Sequence, residues 1–265
     1  MTVYPERAER IRRVLAHAGS VAMAAWSADL RPRKKADGTP VTEGDLLAEV
    51  AIVSGLRQLF PGDAFVTEES GGDRGDGAWW TVDPIDGTSS YVEGLAHWGP
   101  TVARVVPVEG RPVVECGALW LPRLSEYYHV ETAGKGRGGW HNGEALRPFS
   151  KRVAPSTVYL PSRFHTHFRL RYGGKTRCIG GTAAHLALVA RGSAEAVIVA
   201  PGWSSWDTAA GLALIAVLGG RVVSLETGGP VDPFANEGES FVAGSPDVVE
   251  AFLRPGTITA LPEES

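Results

Sequence analysis

The hexapeptide Asp83-Pro84-Ile85-Asp86-Gly87-Thr88, entered from the apolar run Trp79 to Val82, decides how the rest of the chain is read. The run predicts a strand that ends at Asp83. Pro84 fixes the backbone between the two acids, so both carboxylates and an intervening carbonyl can face one point. Gly87 then lets the chain turn closely around a ligand. Carboxylates crowded at a strand end repel one another and are costly to bury unless a cation neutralises them. Oxygen-only donor sets select hard cations, and Mg2+ keeps coordination positions for water and for phosphate oxygens.

Working outward, two more acidic points stand at element ends. A short strand, Ala64 to Thr67, leads into Glu68-Glu69, and Trp206-Asp207 introduces a helix running through Leu218. The amides beside Asp207 would offer the positive end of that helix to an anion. Helical spacing predicts a first helix from Pro5 to about Ala28. A second starts at Thr42, presents Leu46, Leu47, Val50, Val53 and Leu56, and stops at Pro61-Gly62. The glycine-rich stretch Gly71 to Gly77 reads as an exposed loop. Strands Thr101–Val108, Val113–Trp120 and Glu126–Val130, separated by turns, form an antiparallel meander. Helices Thr182–Arg191 and Val248–Leu253 and strands at Ala194–Val199 and Val222-Val223 complete a layered α+β reading.

Composition narrows the function classes. Acidic residues exceed Lys and Arg by 30 to 26, a net charge of −4, which excludes a nucleic acid polymer as the expected partner. The basic run Arg31, Arg33, Lys34 and Lys35 reads as a solvated face. The two cysteines, Cys116 and Cys178, are too few for a disulfide framework or a zinc site and read as small buried hydrophobes in a reducing cytosol. The N-terminus is charged where an export signal needs an apolar stretch, and the run Ala209 to Leu218 is too short to cross a bilayer. A cytoplasmic protein without membrane partners is expected. Gly173-Gly174-Lys175-Thr176 imitates the end of a P-loop, but Arg169 stands where its first glycine belongs. His165 and His167 read as loop residues, and Trp79, Trp80 and Trp120 as core.

The segments V-T-E-E-S, D-P-I-D-G-T and W-D-T-A-A-G together resemble the inositol monophosphatase family of metal-dependent, lithium-sensitive phosphatases. Lys35 through Asp45, the glycine-rich stretch 134–144 and G-G-T-A-A at 180–184 extend the resemblance over nearly the whole chain. It implies an α+β fold, a five-layer α/β/α/β/α sandwich forming a single domain, 1–265, of two packed halves, roughly 1–150 and 151–265. It implies that Glu68, Asp83, Asp86, Asp207 and the Ile85 carbonyl hold two or three Mg2+ ions. Glu69 would orient waters, while Asp45 and Thr88 would position and deprotonate the attacking water. Backbone amides of Gly87, Thr88, Gly181, Thr182 and Ala183 would bind the phosphate. A homodimer is also implied.

The substrate implied is a small-molecule phosphate ester. Inositol-specific members carry a glutamate about seven residues before the W-D aspartate, where this chain has Ala200, and their usual N-F is Ser90-Tyr91 here. Apolar and aromatic residues from Pro201 to Trp203, with Trp203 as substrate contact, suit a heterocycle better than a bare polyol. Histidinol phosphate, a nucleoside phosphate and a sugar or cyclitol phosphate all stay open. The alternative is a non-catalytic relative that binds metal or a phosphorylated ligand as a regulator. No G-x-S-x-G nucleophile motif is present, consistent with metal-activated water.

Overall fold

The computed structural model describes residues 4–27, 30–35, 38–150 and 157–261. Helix α1 (Glu6–Ala25) leads through a small hairpin, β1 (Arg33–Lys34) with β2 (Pro40–Val41), into α2 (Glu43–Leu59). Then come β3 (Ala64–Thr67), β4 (Gly71–Asp73), β5 (Trp79–Asp86), a turn of helix α3 (Thr88–Val92), β6 (Gly99–Val108), β7 (Arg111–Leu121), β8 (Glu126–Glu131), β9 (Gly138–His141) and β10 (Glu144–Ala145). The second part holds β11 (Thr157–Tyr159), α4 (Phe164–His167), β12 (Phe168–Leu170), β13 (Lys175–Arg177), α5 (Thr182–Ala190), β14 (Ala196–Val199) and α6 (Ser205–Val217). It finishes with β15 (Arg221–Ser224), β16 (Phe241–Gly244), α7 (Pro246–Phe252) and β17 (Ile258–Ala260).

An eight-stranded sheet runs β10-β9-β8-β7-β6-β5-β3-β4, and a five-stranded sheet runs β13-β11-β14-β16-β15. Strand alternation explains the layering. On β7, Cys116 and Ala118 face α1 and α2, while Leu119 and Leu121 face α5 and α6. On β14, Val197 and Val199 join that same middle core, whereas Ala196 and Ile198 meet α7 on the far side. Helix pair, sheet, helix pair, sheet, helix: this is the five-layer α/β/α/β/α sandwich.

Several local expectations change. Helix α2 buries Asp45, Ala48, Glu49, Ile52 and Leu56, and leaves Leu46, Leu47 and Val50 exposed. The helix is rotated so that Asp45 and Glu49, four residues apart, share the inward face; the apolar count alone pointed to the wrong side. Gly71–Asp73 is an edge strand paired with β3, not loop. Strand β5 continues beyond Asp83 through a register shift to Asp86, the local irregularity that re-aims side chains at a sheet edge. Helix α1 ends at Ala25, and Ala28, like Ala36 and Asp37 of the 35–45 segment and the 150/151 boundary's 151–156, lies outside the described residues. Cys116 is buried as expected, but Cys178 is exposed beside Ser162. His165 and His167 lie in α4, not in a loop, and Lys175 and Thr176 begin an edge strand. Strands β11, β12, β13, β16 and β17 are three or four residues long, too short for periodicity to reveal.

Candidate metal centre

Register brings the acids together. Strands β3 and β5 are parallel with Thr67 beside Val82, and the Glu68 amide continues the ladder by donating to the Val82 carbonyl at 3.0 Å. Glu68 therefore lies alongside Asp83, and, after burial, its charge helps to raise the Asp83 carboxyl. The Ile85 amide donates to Asp83 Oδ1 at 2.8 Å, so the proline-stiffened turn folds back on its own first acid. From across the middle layer, α6 supplies Asp207. Ligand oxygens of Asp83, Asp86 and Asp207 all lie within 4.8 Å of one another.

Such a cluster is unfavourable as bare charge. Burial and the neighbouring acids push Asp83 well above the ordinary carboxylate range; burial, moderated by helix amides, leaves Asp86 raised to about 7. Burial likewise pushes Asp207 up to about 8. Three hard oxygen donors, converging and short of counter-charge, fit a divalent cation. A cation already serves the next corner: Lys35 Nζ lies 2.7 Å from both Glu68 and Glu69. Of the four basic residues read as a solvated face, Lys35 is turned into the site.

Asp207 does not precede its helix. It is the third residue of α6, where its Oδ2 accepts the Ser204 amide at 2.6 Å in a capping box, and Glu237 Oε1 takes the Ser205 amide at 2.7 Å. Those amides are spent on the protein's own carboxylates, which corrects the expected anion site at α6. The positive end that faces the cleft belongs to α5 instead. There the Ala184 amide donates to Asp86 Oδ2 at 3.2 Å, and the Thr182 and Ala183 amides stand ahead of it at the helix start.

Asp45 and Thr88, the pair the resemblance singles out, are hydrogen-bonded to each other. Thr88 Oγ1 lies 3.1 Å from Asp45 Oδ1 and 3.3 Å from the Ile85 carbonyl. The other Asp45 oxygen accepts from the Thr42 amide and hydroxyl at 2.8 and 2.6 Å, and burial raises the Asp45 carboxyl. Glu69 sits just behind, raised by burial to about 7. Its amide donates to Glu49 Oε2 at 2.9 Å. Glu49 escaped the sequence reading; its spacing of four from Asp45 was the available signal.

Gly87 has φ +87°, and a Cβ there would meet the Gly181 amide at 2.9 Å. A Cβ on Gly181 would lie 2.1 Å from Asp86 Oδ2. The two turns touch backbone to backbone, which only glycine permits. The Gly181 amide itself donates to the His97 carbonyl at 3.1 Å, so it is not free for a ligand. Beside this junction opens a cleft of about 290 Å³ lined by Pro161, Ser162, His185, Ala200, Pro201 and Trp203. Trp203 is buried, with its indole N–H on the Glu239 carbonyl and its ring edge-on to Phe241, so it offers the cleft only a margin.

Known proteins resemble this chain in sequence and in fold. A profile described as "Inositol monophosphatase family" matches residues 6–261. A protein of Chlorobaculum parvum named "Histidinol-phosphatase" is 34% identical over 70% of this chain and 73% of its own. One of Pasteurella multocida named "Nus factor SuhB" is 30% identical over 85% of each. The solved structure of "Thermotoga maritima IMPase TM1415" superposes with TM-score 0.79 at 25% identity, over 94% of this chain and 96% of that one.

Proposed function

This chain belongs to the inositol monophosphatase family and is a phosphatase hydrolase, and from that premise we propose that it is a Mg2+-dependent phosphomonoesterase acting on a small-metabolite phosphate ester. The observation that carries the proposal is the meeting of Asp83, Asp86 and Asp207 within 4.8 Å beside an open cleft. In this reading Glu68, Asp83, the Ile85 carbonyl, Asp86 and Asp207 hold two or three divalent ions. Bound there, Mg2+ would neutralise the carboxylates, acidify a coordinated water and stabilise charge on the leaving oxygen.

The chain's own groups do the rest. The Thr88 hydroxyl, anchored on Asp45, accepts a proton from the attacking water and passes its own to the carboxylate. An Asp45 pKa raised by burial makes that carboxylate a stronger base than an exposed one. The amides of Gly87, Thr88, Thr182 and Ala183 and the dipole of α5 orient the phosphoryl oxygens. Glu69, held by Glu49 and Lys35, orients water at the edge of the site.

The leaving group then extends along Pro161, Ser162, Ala200 and Pro201. With alanine at position 200, this wall carries no carboxylate to accept a row of polyol hydroxyls, which supports a flatter, less hydroxylated group. Histidinol phosphate is thus the first substrate to try, followed by nucleoside and sugar phosphates. Phosphate release from such a panel, with Mg2+ and with EDTA, tests the reading: metal-dependent release is expected, and none from any ester would refute it. A second reading is a metal-binding regulator without turnover, and a relative known as a Nus factor is the reason to test it. Mg2+ binding without phosphate release would select it. The shared middle layer supports one domain of two halves, 1–150 and 151–265, and the family resemblance supports a cytoplasmic homodimer, lithium inhibition included. Among the described residues no helix is long and apolar enough to cross a membrane.

A further inference from the structure

A buried histidine stands in the first turn of α5, where phosphate binding otherwise uses only backbone. His185 is 3% exposed, and its ring stacks on Tyr159 with centroids 5.0 Å apart and planes 12° from parallel. Burial lowers it to about 4, so the ring is neutral at physiological pH. Its Nε2 lies 3.2 Å from the Ile179 amide nitrogen and accepts that N–H, which places the ring proton on Nδ1. A side chain serving only to fill space here would be apolar, because each buried ring nitrogen needs a partner.

The partner it chooses matters. Ile179 opens the turn Ile179-Gly180-Gly181 that delivers Thr182 to the cleft and starts α5. That turn is gripped from one side by His97, whose carbonyl accepts the Gly181 amide, and from another by Asp86, whose Oδ2 accepts the Ala184 amide. His185 supplies a third hold, reaching back from the helix to the entrance of its own loop. We infer that His185 is a positioning residue for phosphate binding, fixing the turn 179–182 through its Nε2 so that the α5 amides aim at the phosphoryl oxygens. The inference rests on the phosphatase reading above.

Two substitutions separate hydrogen bonding from packing. H185F keeps the stack on Tyr159 and loses the acceptor; H185Q loses the stack and keeps an acceptor near the Nε2 position. With Mg2+ present, H185F should raise both KM for the ester and the inhibition constant of inorganic phosphate about tenfold, the scale of one lost buried hydrogen bond. H185Q should stay within about threefold of wild type on the same scale. The reverse order, or two variants indistinguishable from wild type, would overturn the inference while leaving wild-type phosphatase activity in place. A wild type that releases no phosphate would instead sink the reading beneath it, and this inference too. Should H185F not fold, amide exchange on the wild-type protein decides: the Ile179 N–H should exchange as slowly as α5, and rapid exchange would contradict the hold.

Discussion

Two groups of charges are built on the same eight-stranded sheet, and they are balanced in opposite ways. On one side the signs alternate. Asp63 receives Arg104 at 2.7 Å, Arg104 reaches Glu115 at 2.6 Å, and Arg7 bridges Glu115 at 3.1 Å to Glu131, beside which the His129 ring, its pKa lowered by burial, lies at 2.8 Å. Here α1 is pinned to the sheet, and Glu115 and Glu131 face a guanidinium. At the cleft, Glu68, Asp83, Asp86 and Asp207 crowd together, and the described residues bring them one ammonium, Lys35. The first group has what a fold needs. The second is left in debt by several charges, and a protein tolerates that where something else supplies them.

The largest expected effect tests this asymmetry at the cleft. Asp83→Asn or Asp86→Asn should lower phosphate release by more than about 10³-fold, on the scale of a lost electrostatic partner in a reacting site. In EDTA the same variants should melt at or above the wild-type temperature, since they remove repulsion and little volume. Variants that melt well below wild type in EDTA would mean the acids hold the fold together. On the balanced side the effect reverses. Arg7→Met should cost about 3 kcal/mol of stability, because it leaves buried Glu131 without a guanidinium and facing the His129 ring, while turnover at saturating substrate stays unchanged; denaturant melts and a rate assay read both.

The pH response sharpens the same contrast. Asp86 at about 7 and Asp207 at about 8, against 3.8 for the free residue, keep protons in the fold that the unfolded chain has already released. Metal-free stability should therefore fall as pH rises from about 4 to about 8. The rise in Tm on adding Mg2+ should be larger at pH 8 than at pH 5.5; an equal rise would mean these acids are ionised throughout. Smallest of all, Lys35→Met should tighten Mg2+ binding by about threefold, since a fixed ammonium competes for Glu68, within the range of a partly exposed ion pair. Calorimetry would show a weakening instead if Lys35 mainly aligns the carboxylates.

Much of the cleft was legible because its acids sit where local rules place them. Asp83 and Asp86 flank a proline at a strand end and Asp207 stands in the first turn of α6, while Asp45 was marked by the family resemblance alone. The meander β6 to β8 was equally readable from its turns. What stayed hidden depends on partners distant in sequence. The inward face of α2 is set by Asp45 and Glu49 reaching the site, against the pull of Leu46, Leu47 and Val50. Lys35 carries no mark distinguishing it from Lys34 until the chain folds. His185 looks like any residue in an alanine-rich helix until Ile179 turns back toward it.

The central claim is that Asp83, Asp86 and Asp207 form a centre for divalent cations. Anomalous diffraction from crystals soaked in Mn2+ asks this directly. We predict peaks within coordination distance of all three carboxylates; a well-occupied soak that leaves them bare and places manganese elsewhere would contradict the account.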